Sequence, residues 1–238
     1  MRIYNLGSRI VNNFLIPEKD GYVLIDTGYE TGFQHFKKML RKTGIKPGQI
    51  HYVFLTHAHD DHAGFLNDVL NMTDVKVILH PKAVERLQWG QNSFEGGCAG
   101  PLADFFCKLM KLFGRGEHKY PAIKKEYLSR LVTIDSKEFA DLNLSFRVIE
   151  TPGHTADHIA LLKGRALFCG DAAMNNLPSV KRVTIWIENV SQYKNSWRRI
   201  LEINPKRIYP AHGKPFPVSD LRKYYKALDE VKLYPLLK

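Results

Sequence analysis

The feature that most constrains this chain is a run of histidines and aspartates directly after a short apolar segment. The run is Thr56-His57-Ala58-His59-Asp60-Asp61-His62-Ala63-Gly64, and it follows Tyr52-Val53-Phe54-Leu55. A short, continuous apolar segment of this kind predicts a buried strand, and the loops that follow buried strands often carry functional side chains. We therefore expect this run to carry the chemistry of the protein.

The spacing within the run predicts metal ligands. Residues two apart on extended backbone point the same way, so His57 and His59 can reach one cation. Asp61 and His62 lie one turn further on, where a helix is predicted to begin, and can face a second cation beside the first. Three imidazoles and a carboxylate this close together suit zinc or a similar first-row ion, whereas a solvated histidine-rich turn is the alternative.

Three further segments each place a ligand-type side chain just past a predicted strand. The three side chains are His154 in Thr151-Pro152-Gly153-His154, Asp171 in Cys169-Gly170-Asp171 and His212 in Ala211-His212-Gly213. Small residues in each segment allow the backbone to approach a site closely. Four such segments in one chain favour a metal centre over a solvated turn.

Strand and helix patterns alternate along the chain. Residues 8–16 and 22–25, separated by turn residues, predict a hairpin. Apolar residues at helical spacing predict a helix over 31–43, and another over 191–203 that is capped by Ser191. Strands mixed with helices and joined by hairpins imply an α/β (α+β) fold with mixed sheets covered by helices.

The length of 238 residues favours a single domain over residues 1–238. Residues 89–125 interrupt the alternation, because a glycine-rich stretch is followed by an apolar stripe at helical spacing, made of Leu102, Phe105, Phe106, Leu109 and Phe113. A core-facing helix, a lid over an apolar pocket and a membrane-surface helix are the alternatives. We expect a lid insertion at about 89–125, since one helix with two lysines makes a poor membrane anchor.

Together these motifs resemble the metallo-β-lactamase superfamily of binuclear metallohydrolases, over residues 26–212. The resemblance implies an αβ/βα four-layer sandwich with two mixed β-sheets and helices on the outside. It also implies the metal ligands: the first ion is bound by His57, His59 and His154, the second by Asp61, His62 and His212, and Asp171 bridges both.

The resemblance gives two further residues supporting roles. Asp26, in Leu24-Ile25-Asp26-Thr27-Gly28, matches the early aspartate of the superfamily, which supports the metal loop without binding metal. His158 occupies the position at which some members carry a histidine behind the ligands. Cys169 is expected to be a buried strand residue and not a nucleophile.

Spacing and resemblance point to the same reaction. Two cations that share a water generate hydroxide near neutral pH, and this metal-bridging hydroxide would attack a carbonyl or phosphoryl centre. Asp61 is the expected catalytic residue, because it would orient the water and pass a proton to the leaving group. We expect two divalent metal ions, with zinc as the first choice and iron or manganese as alternatives.

The ligand set favours hydrolysis of a small-molecule ester, thioester or lactone, because a bridging Asp171 resembles the thioesterase, lactonase and phosphodiesterase branches. Met174 stands where many acyl-homoserine lactonases carry a tyrosine, which argues against homoserine lactones. The apolar stripe, with Trp89 and Phe94, is the candidate acyl pocket. A phosphodiesterase or nuclease of the same superfamily is the alternative, and a non-catalytic metal-binding protein is a third class.

Charge alone would favour a polyanionic partner. The chain has 35 Lys+Arg against 24 Asp+Glu, a net charge of +11, and residues 181–238 contribute 13 basic and 5 acidic side chains. The basic positions there fit the solvated faces of helices, so we expect a small-molecule substrate and no nucleic acid.

Cysteine usage and hydropathy predict the compartment. Three scattered cysteines make no disulfide framework, and no stretch approaches the ~18 to 20 apolar residues that span a bilayer. The amino terminus has no signal-peptide pattern. The sequence therefore predicts a cytoplasmic protein without a membrane span, and it predicts no particular oligomeric state.

Overall fold

Thirteen short strands form three sheets in the computed structural model, which describes residues 1–114 and 116–236. In chain order they are β1 (Tyr4–Asn5), β2 (Phe14–Glu18), β3 (Gly21–Ile25), β4 (Ile50–Phe54), β5 (Lys76–Leu79), β6 (Gly97–Cys98), β7 (Leu131–Thr133), β8 (Arg147–Glu150), β9 (Ile159–Lys163), β10 (Ala166–Gly170), β11 (Trp186–Ile187), β12 (Arg207–Pro210) and β13 (Phe216–Pro217).

Eight α-helices lie between these strands in the same described ranges. They are α1 (Phe33–Thr43), α2 (Asp60–Ala63), α3 (Leu66–Met72), α4 (Pro81–Trp89), α5 (Pro101–Leu112), α6 (Lys137–Asp141), α7 (Val190–Ile203) and α8 (Val218–Tyr224). Four short 3-10 helices cover Glu30–Gly32, Pro47–Gln49, Lys125–Arg130 and Tyr225–Glu230. Among the residues described, no helix is long and apolar enough to cross a membrane.

The chain divides into two compact units. The first consists of Met1–Asn92 with Lys119–Arg147, and the second of Ser93–His118 with Val148–Lys238. Each unit contains its own mixed sheet, as the alternating pattern predicts. The single domain and the lid at 89–125 stay predictions.

The sheet of the first unit has the strand order β1-β2-β3-β4-β5-β7. The predicted hairpin is present as the antiparallel pair β2 and β3, and β3, β4, β5 and β7 run parallel. The prediction that its first strand begins at Ser8 is wrong. The Ser8 hydroxyl accepts hydrogen bonds from the backbone N–H groups of Ile10 and Val11, which makes a turn before the strand begins at Phe14.

The core of the first unit forms because β4 is apolar on both faces. Val53 and Phe54 are fully buried, and Phe36 and Leu40 of α1 belong to the buried core of the same unit. The predicted helix over 31–43 corresponds to α1, preceded by a 3-10 turn. Gly44 ends α1 in the left-handed region (φ 77°), which a glycine adopts without the steric cost of a Cβ.

The sheet of the second unit has the order β13-β12-β10-β9-β8, with β10 antiparallel to β9 and parallel to β12. Helix α7 supplies the largest buried side chains of this unit, Tyr193 and Trp197. The Trp197 indole N–H donates to the carbonyl of Ala172 at 2.6 Å. This contact ties α7 to the segment that follows β10.

The start of α7 differs from the prediction that Ser191 caps it. The Asn189 side chain accepts a hydrogen bond from the N–H of Gln192 at 3.0 Å, and Asn189 has extended backbone, as a capping residue requires. The helix begins at Val190, so Ser191 lies inside its first turn.

We expect Asn189→Ala to lower the free energy of unfolding by about 1 kcal/mol, since it removes the acceptor for an N–H that the helix leaves unpaired. Urea unfolding followed by circular dichroism measures the change. Ser191→Ala is the matched control and should leave stability within about 0.5 kcal/mol of wild type. A larger loss from Ser191→Ala than from Asn189→Ala would contradict this assignment of the cap.

Candidate metal centre

The histidine run forms the loop after β4 in the first unit. His57 and His62 are fully buried and His59 is nearly so. The ring centroids of His57 lie 4.5 Å from those of His59 and 4.0 Å from those of His62. The predicted helix start is present, because α2 begins at Asp60 with His59 as its cap residue. The four predicted ligands of this unit therefore lie in one loop and the first turn of one helix.

A buried carboxylate holds this loop. Asp26 follows β3 in the left-handed region (φ 58°), which aspartate tolerates better than most residues. Its oxygens accept hydrogen bonds from the backbone N–H of Thr56 at 2.8 Å and from the Thr56 hydroxyl at 2.8 Å. The second oxygen also lies 2.9 Å from Nδ1 of His62. These contacts tie the end of β3 to the start of the histidine run.

The Asp26 contact orients the His62 ring. When Nδ1–H of His62 donates to the carboxylate, Nε2 is the atom presented for metal binding. A carboxylate oxygen of Asp61 lies 3.6 Å from this Nε2. Two ligands on one tetrahedral zinc are separated by about 3.4 Å, so this spacing suits a shared ion.

Two side chains of the segment 89–125 contact the histidine run. The Asp60 carboxylate accepts a hydrogen bond from the side-chain amide of Asn92 at 2.7 Å, and the amide oxygen of Asn92 accepts from the N–H of Asp60 at 2.8 Å. Tyr120 supports the loop as well, because its hydroxyl lies 3.0 Å from the carbonyl of Ala58. Asn92 and Tyr120 both belong to the segment 89–125.

The second unit brings together His154, Asp171 and His212. Asp171 follows β10, His212 follows β12, and all three side chains are largely buried. One carboxylate oxygen of Asp171 lies 3.7 Å from Nε2 of His154, and the other lies 3.5 Å from Nε2 of His212. Each oxygen of this carboxylate therefore faces a different imidazole, at the spacing of two ligands on one ion.

Backbone groups hold His154 in place. The carbonyl of Trp186 accepts from Nδ1 of His154 at 2.7 Å, which leaves Nε2 directed at Asp171. Gly153 adopts a φ of 128°, and a Cβ there would lie 2.2 Å from the backbone nitrogen of Tyr193. The loop can pack this closely on α7 only with glycine at this position.

His158 supports Asp171 through the backbone. Nε2 of His158 accepts a hydrogen bond from the N–H of Asp171 at 3.0 Å, so Nδ1 carries the proton and donates to the Thr151 hydroxyl at 2.8 Å. Both ring nitrogens of this fully buried histidine are thus engaged with protein groups. This arrangement suits the supporting role predicted for His158.

The donor set fits divalent first-row metal ions. Both units present buried imidazole nitrogens beside carboxylate oxygens, and the second nitrogen of His62 and of His154 is hydrogen-bonded to a protein acceptor. Metal-binding histidines usually donate their other N–H to a carboxylate or a carbonyl in this way. Such nitrogen and oxygen ligands accept zinc, iron and manganese.

The chain matches one protein-family profile over most of its length. The profile described as metallo-beta-lactamase superfamily matches residues 6–212. The chain belongs to the metallo-β-lactamase superfamily. The predicted family is therefore confirmed, and membership implies divalent metal ions.

The superfamily relatives include proteins named as hydrolases. The chain is 28% identical over 218 residues to "Beta-lactamase-like protein 2 homolog" of Drosophila melanogaster, covering 90% of this chain and 62% of the relative. It is 28% identical over 177 residues to "Probable metallo-hydrolase YflN" of Bacillus subtilis, covering 72% and 64%. The chain spans 62%, 59% and 50% of the lengths of three curated relatives that it matches.

Solved structures of superfamily members have the same fold. The archaeal protein ST1585 from Sulfolobus tokodaii matches with a TM-score of 0.64 at 21% identity, covering 95% of this chain and 84% of that one. A metallo-beta-lactamase mutant from Cronobacter sakazakii matches with a TM-score of 0.67 at 14% identity, covering 96% and 89%. The predicted mixed α/β fold of the metallo-β-lactamase type is confirmed.

Two residues near the ligands have no part in nucleophilic chemistry. Cys169 is fully buried in β10, and burial raises the pKa of its thiol, which keeps it protonated near neutral pH. Met174 is also buried, and its sulfur lies 3.5 Å from the Thr184 hydroxyl. Neither side chain offers a nucleophile.

The residues proposed for an acyl pocket are mostly exposed. Trp89 is 73% exposed, and Phe94 lies at the surface as well. In the stripe, Phe105 and Phe113 are largely exposed and Leu102 is about half exposed. An acyl pocket built from these residues stays a prediction.

Sequence patterns miss the groups that orient the ligands. The Trp186 carbonyl has no sequence signature, since any residue supplies a carbonyl. Asn92 and Tyr120 lie far from the run in sequence, and nothing in their own surroundings marks them as partners of the loop. Thr56 could have been found, because its hydroxyl directly precedes the first histidine.

We expect Asp26→Asn to weaken zinc binding about 10- to 100-fold, because a neutral amide is a poorer acceptor for Thr56 and His62 and leaves the His62 ring less well oriented. Competition with a fluorescent zinc chelator measures the affinity. Asp68→Asn, at an exposed position on α3, is the control and should bind zinc as wild type does. Wild-type affinity in Asp26→Asn would show that this carboxylate does not support the loop.

Proposed function

We propose that the protein is a dinuclear metal-dependent hydrolase of a small-molecule ester, thioester or lactone. Superfamily membership supports hydrolysis, since two relatives are named "Probable metallo-hydrolase". The ligands in this proposal are His57, His59 and His154 for one ion, Asp61, His62 and His212 for the other, and Asp171 for both. Zinc is the proposed metal, with iron and manganese as alternatives.

The Asp171 carboxylate carries the dinuclear proposal. Its two oxygens face Nε2 of His154 and Nε2 of His212 at 3.7 and 3.5 Å. An ion bound at either oxygen would therefore have one of these imidazoles within reach. Two imidazoles, one on each oxygen, support a bridging position between two ions.

Protein groups prepare the reaction in this proposal. Divalent ions held by these ligands would supply Lewis acidity toward the substrate carbonyl and would lower the pKa of water at the site. In this proposal the Asp61 carboxylate accepts a proton from the attacking water and delivers it to the leaving group. Asp61 suits this role because it is held beside His62 while its side chain stays partly accessible to solvent.

Phosphodiester hydrolysis at the same site is the second candidate. The excess of basic residues over 181–238 favours it, because such residues attract polyanions. Several of these side chains, however, are engaged with protein groups: Arg182 with Asp220, Lys194 with Asp229, Arg198 with Glu202, and Arg199 with the Glu150 carbonyl. These contacts hold four of the basic side chains against protein groups, while the segment keeps 13 basic against 5 acidic side chains, so phosphodiester hydrolysis stays the second candidate.

The role of Asp61 can be tested by comparison with its neighbour Asp60. We expect Asp61→Asn to lower kcat at least 100-fold, because an amide neither accepts the proton nor binds metal as a carboxylate does. Asp60→Asn is the matched control and should stay within about threefold of wild type, since asparagine can keep a hydrogen bond to Asn92. Equal losses from both variants would contradict a specific role for Asp61.

A substrate panel with the metal-reconstituted protein tests the reaction class. p-Nitrophenyl acyl esters, acyl thioesters and simple lactones should be hydrolysed, and Asp171→Ala should lose activity together with bound zinc. Hydrolysis of bis-p-nitrophenyl phosphate, with none of the acyl substrates turned over, would contradict the acyl proposal and favour the phosphodiesterase. A wild-type rate in Asp171→Ala would contradict the bridging role.

A further inference from the structure

Helix α5 carries a stripe of large apolar side chains that point away from the protein. The outer stripe consists of Leu102, Phe105, Leu109, Leu112 and Phe113, whose exposed fractions are 47%, 65%, 38%, 80% and 71%. Scattered single apolar residues are normal at a surface, but four on one helix with a fifth at its C-cap are not. We therefore expect a partner to cover the outer stripe.

Helical geometry makes these residues one continuous surface. At 3.6 residues per turn the outer stripe occupies an arc of about 100°. The buried Ala103 and the half-buried Cys107 lie on a different face of the helix. Helix α5 therefore has an inner face that contacts its own unit and an outer stripe whose side chains stay largely exposed.

A second segment extends the apolar surface beside Leu102. Leu102 and Val180 line the same cavity of about 300 Å³ in the second unit, together with Pro101 and Pro178. Val180 is half exposed, and Leu177 near it is 78% exposed. The apolar surface thus continues from α5 across this cavity to the segment around Val180.

Lysines lie beside the apolar surface. Lys108 is exposed on α5 next to the outer stripe, and the exposed Lys181 follows Val180 and lies 3.8 Å from Glu230. The acidic neighbour on the helix, Asp104, is paired with Lys108 at 2.8 Å. Phenylalanine and leucine on one face with lysine at its edge is the pattern of helices that lie in a membrane interface.

We propose that the outer stripe docks this protein on the surface of a membrane that contains anionic lipids. The side chains of the outer stripe would enter the boundary between headgroups and acyl chains, and the lysines would contact lipid phosphates. Charge favours this partner over a second copy of the chain, because a net charge of +11 repels another copy and attracts an anionic surface. The proposal does not depend on hydrolysis.

Vesicle co-sedimentation of the full chain tests the proposal. Wild-type protein should bind vesicles of 70% phosphatidylcholine and 30% phosphatidylglycerol more tightly than vesicles of phosphatidylcholine alone. The triple variant Phe105→Ser, Leu112→Ser, Phe113→Ser should bind at least tenfold more weakly, since it removes three large apolar side chains from the interface. Ile10→Ser removes an exposed apolar residue of the other unit and should bind as wild type does.

Charge is tested by Lys108→Gln and Lys181→Gln, each of which should weaken binding about fivefold and reduce its dependence on salt. All the substituted side chains are exposed, so thermal unfolding midpoints should stay within about 3 °C of wild type. Vesicle binding by the triple variant at wild-type strength would overturn the proposal. A wild-type protein that binds neither kind of vesicle would also overturn the proposal. The same holds if the wild type forms a dimer, binds no vesicle, and becomes a monomer in the triple variant.

Discussion

The buried carboxylate of Asp26 is the interaction on which the first unit's metal loop depends. Burying an ionised carboxylate is costly unless hydrogen bonds replace its water, and Asp26 receives them from the backbone and hydroxyl of Thr56 and from His62. The same contacts hold Thr56, the first residue of the histidine run, in place. They also leave Nε2 as the nitrogen that His62 presents for metal binding. One side chain thereby links the end of β3, the end of β4 and a predicted metal ligand.

Each unit orients its own ligands with its own groups. In the second unit the Trp186 carbonyl holds His154, and His158 holds the backbone of Asp171. These supporting contacts are hydrogen bonds between protein groups, and they orient His62, His154 and the backbone of Asp171. A site with ligands already oriented loses less conformational entropy when it binds an ion.

The fold could be predicted, and candidate ligands could be named, because both leave local patterns. Alternating strands and helices, and small residues beside histidine or aspartate just past a strand, are visible in a few neighbouring letters. The prediction that Ser191 caps α7 is wrong because Asn189 and Ser191 are both residue types that cap helices. Only the extended backbone at Asn189 distinguishes the two. Partners distant in sequence, such as Asn92 for Asp60, leave no such pattern.

Helix α5 shows a further limit of periodicity. Its apolar arc is wide, and spacing alone does not tell which half of a wide arc faces the core. In the structure Ala103 is buried while Phe105 and Leu112 are exposed. Because this half is exposed, we now propose a membrane surface as the partner of the helix. The sequence alone disfavours that partner, since the helix carries only two lysines.

Anomalous scattering at the zinc edge, from crystals of the protein loaded with zinc, tests the dinuclear centre most directly. The account predicts two peaks about 3.5–4 Å apart, one beside His154 and the other beside His212, with a carboxylate oxygen of Asp171 on each. A single peak, or two peaks of which Asp171 contacts only one, would contradict it.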